Sequence, residues 1–411
     1  MQKKTISNLI WIVLLSFPVL LLGKSNIDLS KRFSSIIYFL FCVSLLITVT
    51  NKVKYNIITK LLITLSLYIL IDIVLKQSVI LKNLTIRDFA EIIRIVGIIF
   101  SFSLGLTIYD KYADNIKPKK ILLVLLLLQL ILSIGFILKG PFQFLNFFYT
   151  NKSHRFSGLM PGINYIWVGV GITYLLLIEA LVKKQISKNK KFIYLIVTIS
   201  ITAFETLLSV SFTSIIIFCL FTFTLLIATI KIRIQTIIAY IVASIITFII
   251  LSNLFSFIGQ HSTYFISKLS QFNDFESGGS LNSFSSLQQR FEVWRYILSH
   301  YTRFPFTGYG SGKDIISYTD NTYIMSFFRY GILGLMLEVS LYVSLLIHFK
   351  KKLKKTKEKL FIFVLSFILS YLIAGLVSNV FYELRTPYVA FLLFGYYYNY
   401  EKNKNILSEY S

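Results

Sequence analysis

Twelve apolar stretches, each bounded by charges, succeed one another along this chain, and that succession restricts the fold more than any other feature. An α-helix needs about 20 apolar residues to cross the hydrocarbon core of a bilayer, and inside that core every backbone polar group must be satisfied within the segment. The stretches are residues 6–23, 33–50, 57–75, 89–108, 121–138, 163–182, 192–208, 212–230, 236–257, 321–348, 360–379 and 386–400. The weakest break is Ser209-Val-Ser-Phe-Thr213, between the seventh and eighth. Those two could equally form one re-entrant hairpin without changing the topology on either side. The expected fold is therefore all-α, a polytopic membrane protein of about twelve transmembrane helices. Residues 1–411 form a single integral membrane domain with no internal repeat or linker, and one large loop, residues 258–319, contains an amphipathic helix.

Composition agrees. Charged residues make up only 15% of the chain and its mean hydropathy is +0.72, whereas a soluble domain is about 25% charged. The net charge of +24 is read as the excess of Lys and Arg that holds loops in the cytoplasm, not as a nucleic-acid surface. Lys3 and Lys4 precede an apolar run to Leu22 with no small-x-small cleavage site, which fits a signal anchor. Cys42 and Cys219 lie inside apolar stretches, and His154, His261, His300 and His348 share no ligand spacing. No disulfide framework, metal site or cofactor is expected.

With Lys3 and Lys4 inside, the loops alternate consistently and both termini are cytoplasmic. Short inner loops hold 25 cations, of which 24 are Lys and one is Arg233. The outer loops hold eight Lys and seven Arg: Arg32, Arg87, Arg155, Arg290, Arg295, Arg303 and Arg385. Arg94 and Arg329 fall within apolar stretches. Either cation satisfies the topology rule, but only Arg offers a planar, two-pronged grip on phosphate or carboxylate. The outer face is thus expected to hold an oxyanion; the competing explanation is chance placement of a few Arg in a Lys-rich chain.

The outer loop 258–319 supplies most of the chemistry. Ser285-Ser-Leu-Gln288-Gln289 has the form of a capping box opening a helix. Leu287, Phe291, Trp294, Leu298 and Tyr301 then recur at helical spacing, and Pro305 closes the run. Arg290 falls at the edge of that apolar stripe beside Trp294, which turns it toward a ligand or an acidic partner; snorkelling toward headgroups is the alternative. Gly308-Tyr-Gly310-Ser-Gly312 lacks the spacing of a nucleotide loop and is read as a tight turn aiming backbone N–H groups at an anion. His154-Arg155-Phe-Ser-Gly158, running to Pro161 and Asn164, stands at the outer mouth of the sixth stretch, a composition suited to an anion at a helix start. Glu91 and Arg94, three residues apart, can pair. Arg94, Arg329, Glu205 and Glu338 are functional candidates because charge is costly inside a membrane, although pairing between spans explains Glu205 and Glu338 equally well.

Three motifs, in order, resemble the O-antigen ligase and polymerase family of bacterial envelope biogenesis. They are Arg155-Phe-Ser-Gly158 to Asn164; Arg290-Phe-Glu-Val-Trp294 with Pro305-Phe-Thr-Gly308-Tyr-Gly310; and Asp320-Asn321-Thr-Tyr323 followed by Gly331-Ile-Leu-Gly334. The resemblance covers roughly residues 85–400. It implies transfer or extension of a glycan carried on polyprenyl diphosphate, at the outer face of the bacterial cytoplasmic membrane. It makes Arg155 and Arg290 the expected grip on diphosphate, with Arg295 and Arg303 as auxiliaries. Trp294, Asn321, Tyr323, Asn164, His154 and Arg94 are the further expected substrate-binding residues. The implied partners are a lipid-linked oligosaccharide donor and acceptor and the bilayer, with a flippase and a chain-length regulator in the same pathway, and no nucleic acid. Two departures matter. Asp320 stands where the family has His, so the expected base is a carboxylate, with Glu292 and Asp314 in reserve. The middle stretch Ser209-Val-Ser211-Phe-Thr213-Ser214 lacks the family's Arg, which points to a polymerase for capsule or a related surface glycan more than to a close ligase.

The residues support the same chemistry without the resemblance. An outward-facing glycosyl transfer has no sugar nucleotide to draw on, so its donor arrives already activated on a lipid. Guanidinium groups can stabilise the departing diphosphate without a metal, and a carboxylate can take the proton of the attacking hydroxyl. A ligase transferring a finished glycan is the alternative within the class; a lipid-linked oligosaccharide flippase is the alternative outside it.

Overall fold

The structure is a computed structural model that describes residues 56–80, 86–113, 116–138, 166–209, 211–229, 285–299, 304–310, 320–382 and 386–400. Among the described residues every regular element is helical. α1 is Ile57–Ile71 and continues as a π-helical segment, Asp72–Ile80. α2 is Ile86–Tyr112, α3 Pro118–Leu138, α4 Ile166–Val182, α5 Lys188–Ser209 and α6 Phe212–Thr229. α7 is Ser285–Ser299, α8 Thr322–Thr356, α9 Leu360–Val377 and α10 Thr386–Tyr398. Nine of the expected stretches coincide with described helices. The other three, 6–23, 33–50 and 236–257, lie outside the described residues.

Six of these helices are long and apolar enough to cross a membrane, which makes this a multi-pass membrane protein. Large apolar side chains confirm the solvent. Leu67, Leu70, Ile71, Met336, Val343, Ile347, Leu369 and Ile373 are all more than 40% exposed on α1, α8 and α9. A water-soluble fold would bury such rows; a bilayer covers them. α4 and α10 are shorter and lie inside the bundle, with every residue of Ile166–Ala180 and of Thr386–Tyr397 buried. At about 1.5 Å per residue, the 13 residues of α10 fall short of the ~30 Å hydrocarbon core.

Local chemistry sets the ends of the helices. Asn56 caps α1, its Oδ1 accepting from Thr59 N at 3.0 Å. Pro118 opens α3, where its missing N–H is not needed. Between α5 and α6, Ser209 Oγ donates to Thr206 O at 2.6 Å and Ser211 Oγ accepts from Ser214 N at 3.4 Å. Serine hydroxyls thus stop one helix and start the next, so the weak break separates two helices.

α4 lies among α3, α5, α6 and α9, while α10 packs along α2. The α2–α10 approach is glycine-mediated. A Cβ on Gly105 would lie 2.1 Å from Leu392 O, and one on Gly395 would lie 2.0 Å from Phe102 O, the small-residue contact that membrane helices use to pack closely. Trp167, Phe221, Phe367 and Tyr371 interlock α4, α6 and α9.

The ends of the bundle differ in chemistry. At one end lysines cap neighbouring helices. Lys183 Nζ donates to Ala113 O at 2.8 Å, Lys352 Nζ to Tyr400 O at 2.9 Å, Lys359 Nζ to Ile227 O at 3.3 Å, and Lys191 Nζ to Thr229 O. Cations there complement the negative ends of the helix dipoles. Among the described residues Arg94, Arg290 and Arg329 lie toward the opposite end.

Candidate functional site

The arginine end is organised by a break in α8. Gly331 has φ 64° and ψ −164°, so residues 322–330 leave the axis of the rest of the helix. Ser326 and Glu338 are twelve residues apart and would be about 18 Å apart along a straight helix, yet Ser326 Oγ donates to Glu338 Oε2. A break inside a membrane helix frees backbone groups that must find other partners. In an unbroken helix Ile332 and Leu333 N–H would bond the carbonyls of Phe328 and Arg329. Here Ile332 N donates to Pro305 O at 3.1 Å and Leu333 N to Phe306 O at 3.3 Å. Phe328 O accepts from Tyr309 N at 2.8 Å and Arg329 O from Gly310 N at 2.7 Å. Residues 304–310 are therefore spliced into the break and satisfy all four groups. Only glycine allows so close a seat: a Cβ on Gly308 would lie 2.4 Å from the Arg329 carbonyl carbon, and one on Gly331 2.3 Å from that of Phe306.

This arrangement corrects the reading of the glycine-rich segment at Gly308, Tyr309 and Gly310; Ser311 and Gly312 lie outside the described residues. The N–H groups of Gly308, Tyr309 and Gly310 bond protein carbonyls and are not aimed at an anion. Helix filling takes precedence because an orphaned backbone group in an apolar interior is expensive.

The segment 322–330 carries the motif residues at its tip. Asn321 is the N-cap, its Oδ1 accepting from Tyr323 N at 2.9 Å and Ile324 N at 3.0 Å, while Nδ2 donates to Leu376 O at 2.9 Å. Tyr323 donates its hydroxyl to Leu372 O at 2.8 Å. Both side chains anchor the tip to α9. Beside them Asp320 Oδ2 accepts from Arg290 Nε at 3.0 Å, joining α7 to α8. The pair is partly open, with side-chain exposures of 25% for Arg290 and 36% for Asp320, and the Nη edge of the guanidinium is not part of this bond.

α7 begins at Ser285, where the capping sequence predicts it. Its buried face is rotated from the expected apolar stripe. Ile297 is buried, and Arg290 and Trp294 are half-buried, whereas Phe291 and Leu298 are 49% and 54% exposed. The ion pair with Asp320 turns the arginine edge of the helix inward. Arg295 and Glu292 are exposed.

α2, α8 and the 380–382 turn share a buried polar network. Arg94 is 1% exposed. Its Nε and Nη2 engage Glu91 Oε2 at 2.9 and 2.8 Å, and Nη1 donates to Phe381 O at 2.6 Å. Arg329 Nη1 meets the other oxygen, Glu91 Oε1, at 2.6 Å. Both guanidiniums lie over the Tyr382 ring, at 4.6 and 5.0 Å. Tyr382 bonds Ser326 at 2.6 Å, which returns the network to Glu338. Burial, and after it the Glu338 carboxylate, raises the Tyr382 hydroxyl well above its ordinary pKa, so it stays a neutral partner. Arg94 thus clamps α2 to the 380–382 turn and presents no surface to a ligand. The Glu91–Arg94 pairing was visible in the spacing, but the Glu91–Arg329 bond, across 238 positions, was not.

The structure joins Arg290 to Asp320, which leads into Asn321 and Tyr323 at the start of α8, with Trp294 one turn further along α7, and puts Arg94 in the Glu91 network. His154, Arg155, Asn164 and Arg303 lie outside the described residues, as does Asp314. Sequence reasoning missed Lys76, whose ammonium donates to Thr307 O and Gly308 O; the signal available was the Asp72/Lys76 spacing at the end of an apolar stretch. Among the described residues no cluster of His, Cys, Asp or Glu could hold a metal ion. No family model and no curated protein matches the chain.

Proposed function

We propose that this protein is a membrane glycosyltransferase that polymerises oligosaccharide repeat units carried on polyprenyl diphosphate, at the outer face of the bacterial cytoplasmic membrane. The observation that carries the reading is the Arg290–Asp320 ion pair at 3.0 Å. A guanidinium suited to diphosphate and a carboxylate suited to a hydroxyl proton, 30 residues apart in sequence, lie side by side and partly exposed.

In the proposed reaction a hydroxyl of the acceptor sugar attacks the anomeric carbon of the donor. The new C–O bond forms as the bond to the lipid diphosphate breaks. Asp320 takes the hydroxyl proton. The electron pair of the broken bond leaves on diphosphate, whose growing charge meets the Nη edge of Arg290, with Arg155 as the second cation. Diphosphate draws the guanidinium away from Asp320 and leaves the carboxylate the stronger base.

The broken α8 is the observation that favours a second reading, transport, because transporters bind cargo at interrupted helices. There, however, unwound carbonyls coordinate the cargo ion. Here the carbonyls of Phe328 and Arg329 are taken by Tyr309 and Gly310, and those of Thr307 and Gly308 by Lys76. The deciding experiment is reconstitution with synthetic lipid-diphosphate repeat units and no nucleotide. Chain growth by the natural protein and its loss in Asp320→Asn supports polymerisation; movement of the units across the bilayer without growth supports transport.

A further inference from the structure

The splice has an anchor on a third element. Lys76, in the π-helical segment after α1, is 6% exposed. Its Nζ pairs with Asp72, donates to Thr307 O at 2.7 Å and Gly308 O at 2.8 Å, and lies 5.8 Å from the centre of the Phe304 ring. A buried ammonium is stable only when its donors are used and its charge is matched. Asp72 supplies the countercharge, and the two loop carbonyls take the remaining donors. Those carbonyls belong to the residues that turn the loop into the break: Gly308 packs on the backbone of Arg329, and Tyr309 and Gly310 then bond Phe328 and Arg329. Phe328 and Arg329 belong to residues 322–330 of α8, which follow Asp320 and Asn321, and the chain before Phe304 leads back to α7 and Arg290.

We propose that Lys76 is a positioning residue, which seats residues 304–310 in the break of α8 and thereby sets where Arg290 meets Asp320. The inference rests on the polymerase reading only in calling that pair functional; the seat itself is independent of any activity. Lys76 touches none of the reacting groups. It acts through two backbone carbonyls, so its side chain matters as a pair of correctly spaced donors and not as a charge beside Arg290 and Asp320. Neutralising both partners, in Asp72→Asn with Lys76→Met, removes those donors without leaving an unmatched buried charge.

Two readouts test this on the full-length protein in lipid nanodiscs. The first is hydrogen exchange at the Tyr309 and Gly310 amides. Loss of two charge-assisted bonds should speed it by about 10- to 100-fold in the double variant. The second is cross-linking by dibromobimane in Arg290→Cys/Asp320→Cys, on a Cys42→Ser/Cys219→Ser background. Its yield should fall at least about fivefold when Lys76 and Asp72 are also changed, because reaction needs the two positions held within reach. Lys76→Arg keeps two donors and the pairing with Asp72, and should restore both readouts. Unchanged exchange would show that Lys76 does not hold the seat. Unchanged cross-linking would show that the seat does not set the pair. Equal losses in Lys76→Arg would trace the effect to packing alone, and each of these results overturns the proposal. Should the double variant not fold, Asp72→Asn with Lys76→Gln, which also leaves no unmatched charge and keeps a single amide donor group, gives the same two readouts at smaller amplitude. Since neither readout uses catalysis, a failed chain-growth assay counts against the polymerase reading and leaves this result standing.

Discussion

Arg290 and Asp320 show how far residue type carries an argument. Each was legible as a candidate from its motif, but that the two bond each other was not, since residues 291–319 intervene. Their contact sharpens the mutational tests. Arg290→Lys keeps the charge and loses the flat fork, and chain growth should fall by about 10²–10³ with protein amount unchanged. Asp320→Asn still offers an oxygen to Arg290 Nε but cannot take a proton. If Asp320 is the base, the loss is about 10²–10⁴; if it only orients Arg290, Asn should be near normal and Ala impaired. Rates of polymer formation from a lipid-linked donor separate these outcomes. Glu91 belongs to a different class, because its carboxylate neutralises both Arg94 and Arg329. Glu91→Gln leaves two guanidiniums buried and unmatched, which costs about 3–5 kcal/mol. It should lower the thermal midpoint in detergent far more than Arg290→Lys does. A midpoint equal to that of the natural protein would mean that the network is not what holds α2 to α8.

At the scale of elements, helix positions followed from periodicity and caps, whereas the break in α8 did not. The stretch 321–348 reads as one continuous helix, and the structure extends it through Lys350–Lys355, since Lys is a good helix former. The signals for the break were split between two places, Gly331 in the helix and Pro305, Gly308 and Gly310 in the loop. Neither half shows what it is for until the two meet. Both Gly308 and Gly331 sit at positive φ, 68° and 64°, with backbone where a Cβ would go. Gly308→Ala and Gly331→Ala should each destabilise by more than the roughly 1–3 kcal/mol of backbone strain alone, since a steric clash is added. Thermal unfolding followed by size-exclusion chromatography reads this directly; a Gly331→Ala protein as stable as its parent would mean the helix can close over the break. The rotation of α7 has the same origin. Its apolar stripe was counted along one helix, but its buried face was decided by an acid on another.

At the scale of the molecule, topology and packing make separate predictions. Ser280→Cys, in the long loop on a background lacking Cys42 and Cys219, should react with an impermeant maleimide in intact cells. Reaction only after permeabilisation would reverse the orientation and remove an outer-face reaction. Gly395→Leu should abolish recovery of folded protein, because its backbone lies against Phe102 of α2 with no room for a side chain. Recovery of a stable variant would show that α2 and α10 can separate. The solvent, the helical class and which helix ends carry Lys or Arg can be read along the chain, because apolar length and charge are local properties that a bilayer reads segment by segment. That α4 and α10 are buried inside the bundle, that Glu91 serves two arginines, that a loop completes a broken helix, and that Arg290 meets Asp320 emerge only from the packed molecule. Each of those depends on partners far apart in the chain, and an apolar interior enforces them by leaving no charge or backbone group without a match.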